Sequence, residues 1–354
     1  MFSITALPAS FGDCLWIEYG SVDAPFVILI DAGPSAPRML KLRLQDLAKR
    51  GGSLELVVVT HVDSDHIGGM LNLLENDFYG VPVRDLWFNG FRHLPLPELL
   101  EAFGERQGER LTKLLLEKKI AWNVATGNEP VMVHPTHCPV FHLTGGPKVT
   151  LLSPDIVQLK RLRVSWVKVC GEADLYADLP AQTVYFGKDG LEAFGGDAAL
   201  DICALAAQPF VEDSAEANGS SIAFLLEYEN RRILLGADAY PSRLTQSLRQ
   251  LEGEPPFSLD LMKVPHHGSE NNLSQEFVGV FNCSKYLFSS NGSSYGHPAR
   301  ASVARVIQHG NNPTLYFNYK SPSSEVWDNP ILKSMYTYST DYGSEEGITI
   351  DLQP

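Results

Sequence analysis

The sequence is short of cysteine, of long apolar runs and of positive charge, and each shortage closes off a class of protein. Its five cysteines (Cys14, Cys138, Cys170, Cys203 and Cys283) are scattered, odd in number and never in a Cys-x-x-Cys pair. That pattern argues against a disulfide framework or a cysteine-rich zinc knuckle and fits a reducing cytoplasm. No apolar run approaches the roughly 20 residues that span a bilayer, so no membrane is expected among the partners. The opening MFSITALPASFGDCLW lacks the basic and long apolar regions of a signal peptide. Internal repeats and low-complexity tracts are lacking too, which removes solenoids. Basic residues number 28 against 42 acidic ones, for a net charge of −14. Such a chain is poorly suited to coating nucleic acid electrostatically. A phosphodiester stays open as a substrate, because bound divalent cations reverse the local field.

What the chain does have is apolar substance: 44% of its 354 residues, enough for a substantial core. The pattern reads as one domain over residues 1–354, with a variable insertion at about 91–217. Residues 1–33 read as two strands, CLWIEY and PFVILI, the first preceded by a Gly12-Asp13 turn and the second ending in Asp31-Ala-Gly. RMLKLRLQDLAKR (38–50) has helical apolar spacing and stops at Gly51-Gly52. DFYGVPVRDLWFN (77–89) fits a strand. PELLEAF and RLTKLLLEKKIAW, within 97–121, fit amphipathic helices packed on the core. Residues 122–154 read as an edge region. His134, His137, Cys138 and His142 there are interrupted by prolines and lack an acidic neighbour, so they read as loop and strand residues, not as a zinc site. The stretch 155–217, with LKRLRVSWVKV, FGKDG, FGGD and EDSAEA, is the least informative.

The strongest signal is LELVVVTHVDSDHIGGM (54–70). A buried β-branched strand stops at Thr60, and within six residues come His61, Asp63, Asp65 and His66. Singly, such residues form hydrogen-bonded pairs or solvated turns. Together, imidazoles and carboxylates in one loop suit a borderline divalent cation. A glycine pair follows, and LNLLE reads as the start of a helix.

The final third repeats the theme at other strand ends. IAFLLEY and ILLGADAY read as strands, the second ending at Asp238; a helix, SRLTQSLRQL, follows. LDLMKVPHHGSENN ends its strand at His266 and His267, and YLFSS leads to NGSSYGHP with His297. ARASVARVIQH reads as a helix, TLYFNY as a strand, and the tail as a closing hairpin. In an α/β sheet, residues beyond the carboxyl ends of the strands meet in one crevice.

THVDSDHIGG resembles the His-x-His-x-Asp-His motif of the metallo-β-lactamase fold, with Asp63 where a second histidine usually stands. ILLGAD, KVPHHGS and NGSSYGHP resemble more narrowly the hydrolase domain of competence-type DNA-uptake channels and its free-standing relatives, some tied to anti-phage defence. The resemblance implies an α/β, four-layer αββα sandwich. It implies that His61 and Asp63 hold one metal, that Asp65 and His66 hold a second with His266 or His267, and that Asp238 bridges them. His266 is favoured of the pair. Asp31 would brace a ligand. Asp65 would also orient the attacking water, and His297 would donate a proton or hydrogen bond to phosphate. Lys263 and Ser269 are weaker candidates for that contact. One or two ions, zinc or manganese, are implied. Asp63 and Asn218, standing where histidines are usual, tilt the choice toward the harder manganese or magnesium.

The expected function is metal-dependent hydrolysis, of phosphodiesters first (a nuclease or a cyclic- or oligonucleotide phosphodiesterase), through metal-activated water. Lactone or acyl-ester hydrolysis on the same fold is the alternative. So is a non-catalytic sensor or subunit of a bacterial defence system, with partner proteins and an oligomeric state compatible with either.

Overall fold

The computed structural model describes residues 1–95, 106–173 and 200–353. PELLEAF, FGKDG and FGGD lie outside the described residues. The chain alternates strands with helices, and the strands form two large sheets. The first runs Ile348–Asp351, Phe2–Ala6, Leu15–Gly20, Pro25–Ile30, Leu54–Val58, Leu86–Trp87. The second runs Ser339–Tyr342, Thr314–Phe317, Lys285–Phe288, Leu261–Lys263, Arg231–Leu235, Ala223–Tyr228, Lys148–Ser153, Val140–His142.

Period-two alternation sorts each strand's side chains onto two faces. Ile28, Ile30, Leu56 and Val58 from the first sheet meet Phe224, Leu226, Ile233, Leu235 and Leu261 from the second in one buried cluster. The opposite faces of the same strands carry Val27, Leu29 and Val57, which pack on helices Arg38–Lys49 and Ser64–Glu75 through Leu40, Leu44, Ile67 and Met70. On the other side, Leu225, Leu234 and Met262 face Leu244, Leu248, Val303 and Ile307 from helices Pro241–Glu252 and Arg300–His309. Helix, sheet, sheet, helix is the four-layer αββα sandwich of the metallo-β-lactamase fold.

Parallel pairing decides where the site falls. Pro25–Ile30 runs parallel to Leu54–Val58 in the first sheet. Leu261–Lys263 runs parallel to both Arg231–Leu235 and Lys285–Phe288 in the second. The carboxyl ends of these five strands lie at one edge of the sandwich, as the rule for such sheets requires.

Several local expectations need correction. Phe2–Ala6 is a strand in its own right, so the first 33 residues hold three strands and not two. The helix after the metal motif begins at Ser64, inside the motif, and carries Gly68-Gly69 within it. A glycine pair usually breaks a helix, but here it permits contact. A Cβ on Gly69 would lie 2.1 Å from the Ala32 carbonyl oxygen. Within 77–89 only Leu86–Trp87 pairs as a strand; Asp77–Gly80 is a tight turn with Phe78 and Tyr79 left-handed. The two tail strands do not form a hairpin with each other. Ser339–Tyr342 closes the second sheet beside Thr314–Phe317, and Ile348–Asp351 closes the first beside Phe2–Ala6. Strands Val140–His142 and Lys148–Ser153, in the stretch read as an edge region, do form an edge of the second sheet.

Candidate metal centre

Strand Leu54–Val58 ends, Thr60 turns inward, and His61 follows, buried. Asp63 takes the position before helix Ser64–Glu75 with extended backbone, but its carboxylate makes no cap to the helix. It reaches instead to 3.6 Å from His61 Nε2. Asp65 and His66 occupy the first turn of that helix. Gly12 lets the neighbouring loop press against this turn, since a Cβ there would lie 1.9 Å from the Asp65 carbonyl oxygen.

The second sheet contributes from its own strand ends. Ala237, with φ of 45°, turns the chain so that Asp238 is buried at the centre. His266 and His267 both adopt left-handed backbone, with φ of 45° and 53°. Two consecutive non-glycine residues in that region are uncommon, and each costs on the order of 1–3 kcal/mol. The surrounding contacts hold them there.

Four imidazoles share one orientation. His61 Nδ1 donates to the Thr60 hydroxyl at 3.0 Å. His66 Nδ1 donates to Asp31 Oδ2 at 2.8 Å. His266 Nδ1 donates to Asn272 Oδ1 at 2.8 Å, and His267 Nδ1 to the Ser289 carbonyl at 2.8 Å. An acceptor at Nδ1 fixes the tautomer and leaves Nε2 as the inward atom. All four Nε2 atoms surround Asp238 Oδ2, at 3.8, 3.5, 3.6 and 4.0 Å for His61, His66, His266 and His267. Asp65 Oδ2 lies 3.7 Å from His66 Nε2 and 3.4 Å from His267 Nε2.

The charges are correspondingly skewed. Burial alone would lower the His66 pKa, but Asp238, Asp65 and Asp31 outweigh it and raise it well above the ordinary value. His267 is likewise pushed up to about 10 against the effect of burial, chiefly by Asp13 and Asp238. Burial would raise Asp65 and Asp238, yet the histidines hold Asp65 down at about 2 and Asp238 well below the carboxylate range. His297 differs. Burial, then His266 and His267, lower it to about 3, so it is a neutral imidazole. Its ring centroid lies 5.5 Å from that of His266 and 6.4 Å from that of His267.

Residues 9–153 match the family model described as the Metallo-beta-lactamase superfamily. That stretch, less than half of the chain, is similar to the metallo-β-lactamase superfamily. The superfamily's members are generally metal-dependent hydrolases. Among solved structures, the chain is similar to the metallo-β-lactamase fold protein YhfI from Bacillus subtilis, at 11% identity and a TM-score of 0.40, covering 99% of this chain and 100% of that one. It is also similar to CmlA, a diiron β-hydroxylase from Streptomyces venezuelae, at 12% identity and a TM-score of 0.43, covering 99% of this chain and 54% of that one. A search of curated proteins gives no match.

The donor set of this centre suits a cation. His61 Nε2 and Asp238 Oδ1 are buried without a hydrogen-bond partner, which is costly unless something else satisfies them. Three groups, His61/His66/Asp238, Asp65/His66/His267 and Asp13/Asp238/His267, each bring their ligand atoms within 4.8 Å of one another. Imidazole nitrogen with carboxylate oxygen is what borderline divalent ions take. These groups are therefore able to bind metal.

Of the residues singled out from sequence, the structure gathers His61, Asp65, His66, Asp238, His266 and His267 around one point, with His297 beside them and Asp63 at the rim. His134 and His137 stack in a distant turn, and His142 ends an edge strand. Among the described residues they join no potential metal group. Ser269 lies at the mouth beside His297. Lys263 points between the sheets, 1% exposed, and donates to Asp13 Oδ2 at 2.5 Å.

Two carboxylates went unrecognised in the sequence. Asp13 sits 3.3 Å from His267 Nδ1 through its other oxygen. Asp213 accepts from Asn218 Nδ2 at 2.6 Å and Asn272 Nδ2 at 3.2 Å, and lies 3.4 Å from His266 Nδ1. Asn218 thus braces His266 from behind. Asp13 stood in the Gly-Asp turn and Asp213 in EDSAEA, with no spacing rule linking either to a histidine some 50 to 250 residues away.

Proposed function

We propose that the protein is a metal-dependent hydrolase of phosphodiesters. The observation that carries this reading is the set of four imidazoles anchored at Nδ1 with every Nε2 turned on Asp238. His61, Asp63, Asp238 and His266 would hold one ion, and Asp65, His66, Asp238 and His267 a second. A divalent cation bound there supplies Lewis acidity, which lowers the pKa of water to about 7 and offsets phosphoryl charge.

The protein's own groups do the rest. Asp31, taking hydrogen bonds from His66 Nδ1 and from both the amide and hydroxyl of Thr60, keeps the His66 lone pair inward. Asp65, ionised and only partly buried, can accept a hydrogen bond from the attacking water and aim it. His297, neutral and with its buried Nδ1 unpartnered, can hydrogen-bond a phosphate oxygen or pass a proton toward the leaving oxygen. The NGSSYGHP motif that carries His297 is what favours a phosphoryl substrate over an acyl one. Among the described residues four cysteines are free thiols, which supports a cytoplasmic setting.

The test is an assay of chelator-free protein, with manganese or zinc, on single-stranded DNA, RNA and cyclic dinucleotides. Cleavage that chelator abolishes is expected. Hydrolysis confined to lactones or thioesters would replace the phosphodiester reading.

A further inference from the structure

A cavity of about 640 Å³ opens beside the metal centre, between the loop bearing His297, the start of helix Arg300–His309 and Pro322-Ser323. Its volume lies within the roughly 300–1,000 Å³ of small-molecule sites. His297 belongs to both the cavity wall and the centre, so an occupant of one touches the other.

The lining is polar and nearly neutral. Asn271, Asn291, Ser293 and Ser323 offer amides and hydroxyls, while the carboxylate and guanidinium there, Glu270 and Arg300, are one of each sign. Tyr295 stands at the same wall, 66% exposed. Its ring lies 5.9 Å from the His297 ring with the planes 27° apart, and His297 in turn lies 22° from coplanar with His267. Phe11 meets the tyrosine ring edge-on at 6.3 Å. Roughly parallel rings therefore step from the metal centre out to the cavity, and an exposed tyrosine packed on His297 and Phe11 offers an aromatic stacking surface.

We infer that this cavity seats a nucleoside, its base stacked on Tyr295 and its sugar hydroxyls among the serine and asparagine groups, next to a phosphate at the metal centre. The placement of the phosphate rests on the hydrolase reading; the base site does not. One arginine among the described lining residues is too little positive charge to track a polymer, which takes rows of lysine and arginine. The substrate is accordingly a short or cyclic nucleotide diester.

The test is calorimetric titration of the full, manganese-loaded chain with adenosine 5′-monophosphate, uridine 5′-monophosphate and ribose 5-phosphate. The two nucleotides should bind at least about tenfold more tightly than the sugar phosphate, the scale of one stacked base. Tyr295→Ala should erase that preference and Tyr295→Phe should keep it. Equal binding of all three ligands, or a preference that survives in Tyr295→Ala, overturns the site. Bis(p-nitrophenyl) phosphate separates the two readings. Its cleavage by wild-type protein that shows no base preference refutes the nucleoside site and spares the hydrolase. Base-dependent binding without any cleavage does the reverse.

Discussion

His66 and His267 face each other across the centre with Nε2 atoms 3.3 Å apart, yet the two halves of the molecule hold them by different means. His66 rides the first turn of a regular helix, and one buried carboxylate, Asp31, takes its Nδ1 proton. His267 sits on left-handed backbone, gives its Nδ1 proton to a main-chain carbonyl, and has its carboxylate, Asp13, neutralised from behind by buried Lys263. The first half gets its precision from secondary structure. The second gets it from tertiary contacts that over-determine a strained loop. Damage to the first half should therefore appear mainly in metal affinity, and damage to the second mainly in stability.

Asp238 comes from the second sheet but faces the imidazoles of both halves, and it should give the largest effect. Asp238→Ala removes the oxygen that all four Nε2 atoms surround. Metal affinity should fall by more than the roughly 10–100-fold typical of an outer partner. Elemental analysis of dialysed protein should show metal dropping to background, and hydrolysis should vanish with it. Retention of metal in that variant would mean the two halves do not share an ion site at all.

The buttresses test the comparison directly. Asp31→Asn should weaken metal binding by about 10–100-fold. Asp13→Asn strands a buried ammonium, and losing one partner of such a pair costs about 3–5 kcal/mol. Lys263→Met should cost a similar amount by stranding Asp13. The double variant Asp13→Asn/Lys263→Met should recover most of the loss, since a buried pair replaced as a unit is often near neutral. Urea unfolding of chelated protein measures all four. Equal destabilisation by Asp31→Asn and Asp13→Asn would dissolve the distinction.

Protons report the same asymmetry. Without a cation, His66 and His267 are both raised, His267 to about 10. A raised histidine contributes stability that is fully present below its unfolded value of about 6.5 and is lost as pH climbs through the folded value. Chelated protein should therefore lose stability between about pH 6.5 and pH 10. Asp13 has the opposite sign. Burial opposes its ionisation, but Lys263 and His267 depress it below the carboxylate range. Its contribution holds above about pH 4 and is lost on acidification. A cation must displace the imidazole protons, so loading at pH 7 should release at least two protons, one from each histidine. Titration in two buffers of different ionisation enthalpy counts them, and zero release would contradict the arrangement.

The contrast between the halves also explains what the sequence disclosed. Strands such as Val57-Val58 and Ile233-Leu234-Leu235 announce themselves by apolar runs, and THVDSDH announces ligands by density within seven residues. Both are local signals, and the first half of the site was legible from them. Asp13 pairs with Lys263 across 250 residues and Asp213 with His266 across 53, through contacts that exist only once the sheets have stacked. The favoured choice of His266 over His267 had no local basis either, since the two alternate only through their left-handed backbone, and both turn Nε2 inward. Gly68-Gly69 misled for the same reason. Read locally the pair stands ahead of a helix, but the helix runs through it, and the approach of the Pro34 and Ala32 carbonyls is what demands glycine there.

The smallest effect should come from Asp63. Its side chain is 43% exposed, and it touches the centre only through the 3.6 Å approach to His61 Nε2. It also makes no cap to its helix, so Asp63→Ala forfeits no cap hydrogen bond and should shift stability by no more than about 0.5 kcal/mol. What it removes is one oxygen donor at the open edge of one ion site. Replacing that oxygen with nitrogen should move metal choice more than metal retention, because imidazole suits zinc where carboxylate suits manganese. Competition of zinc against manganese for Asp63→His and wild-type protein reads this as a ratio. The ratio should rise in the variant. An unchanged ratio would place Asp63 outside the ion's reach and leave the first site to His61, Asp238 and His266 alone.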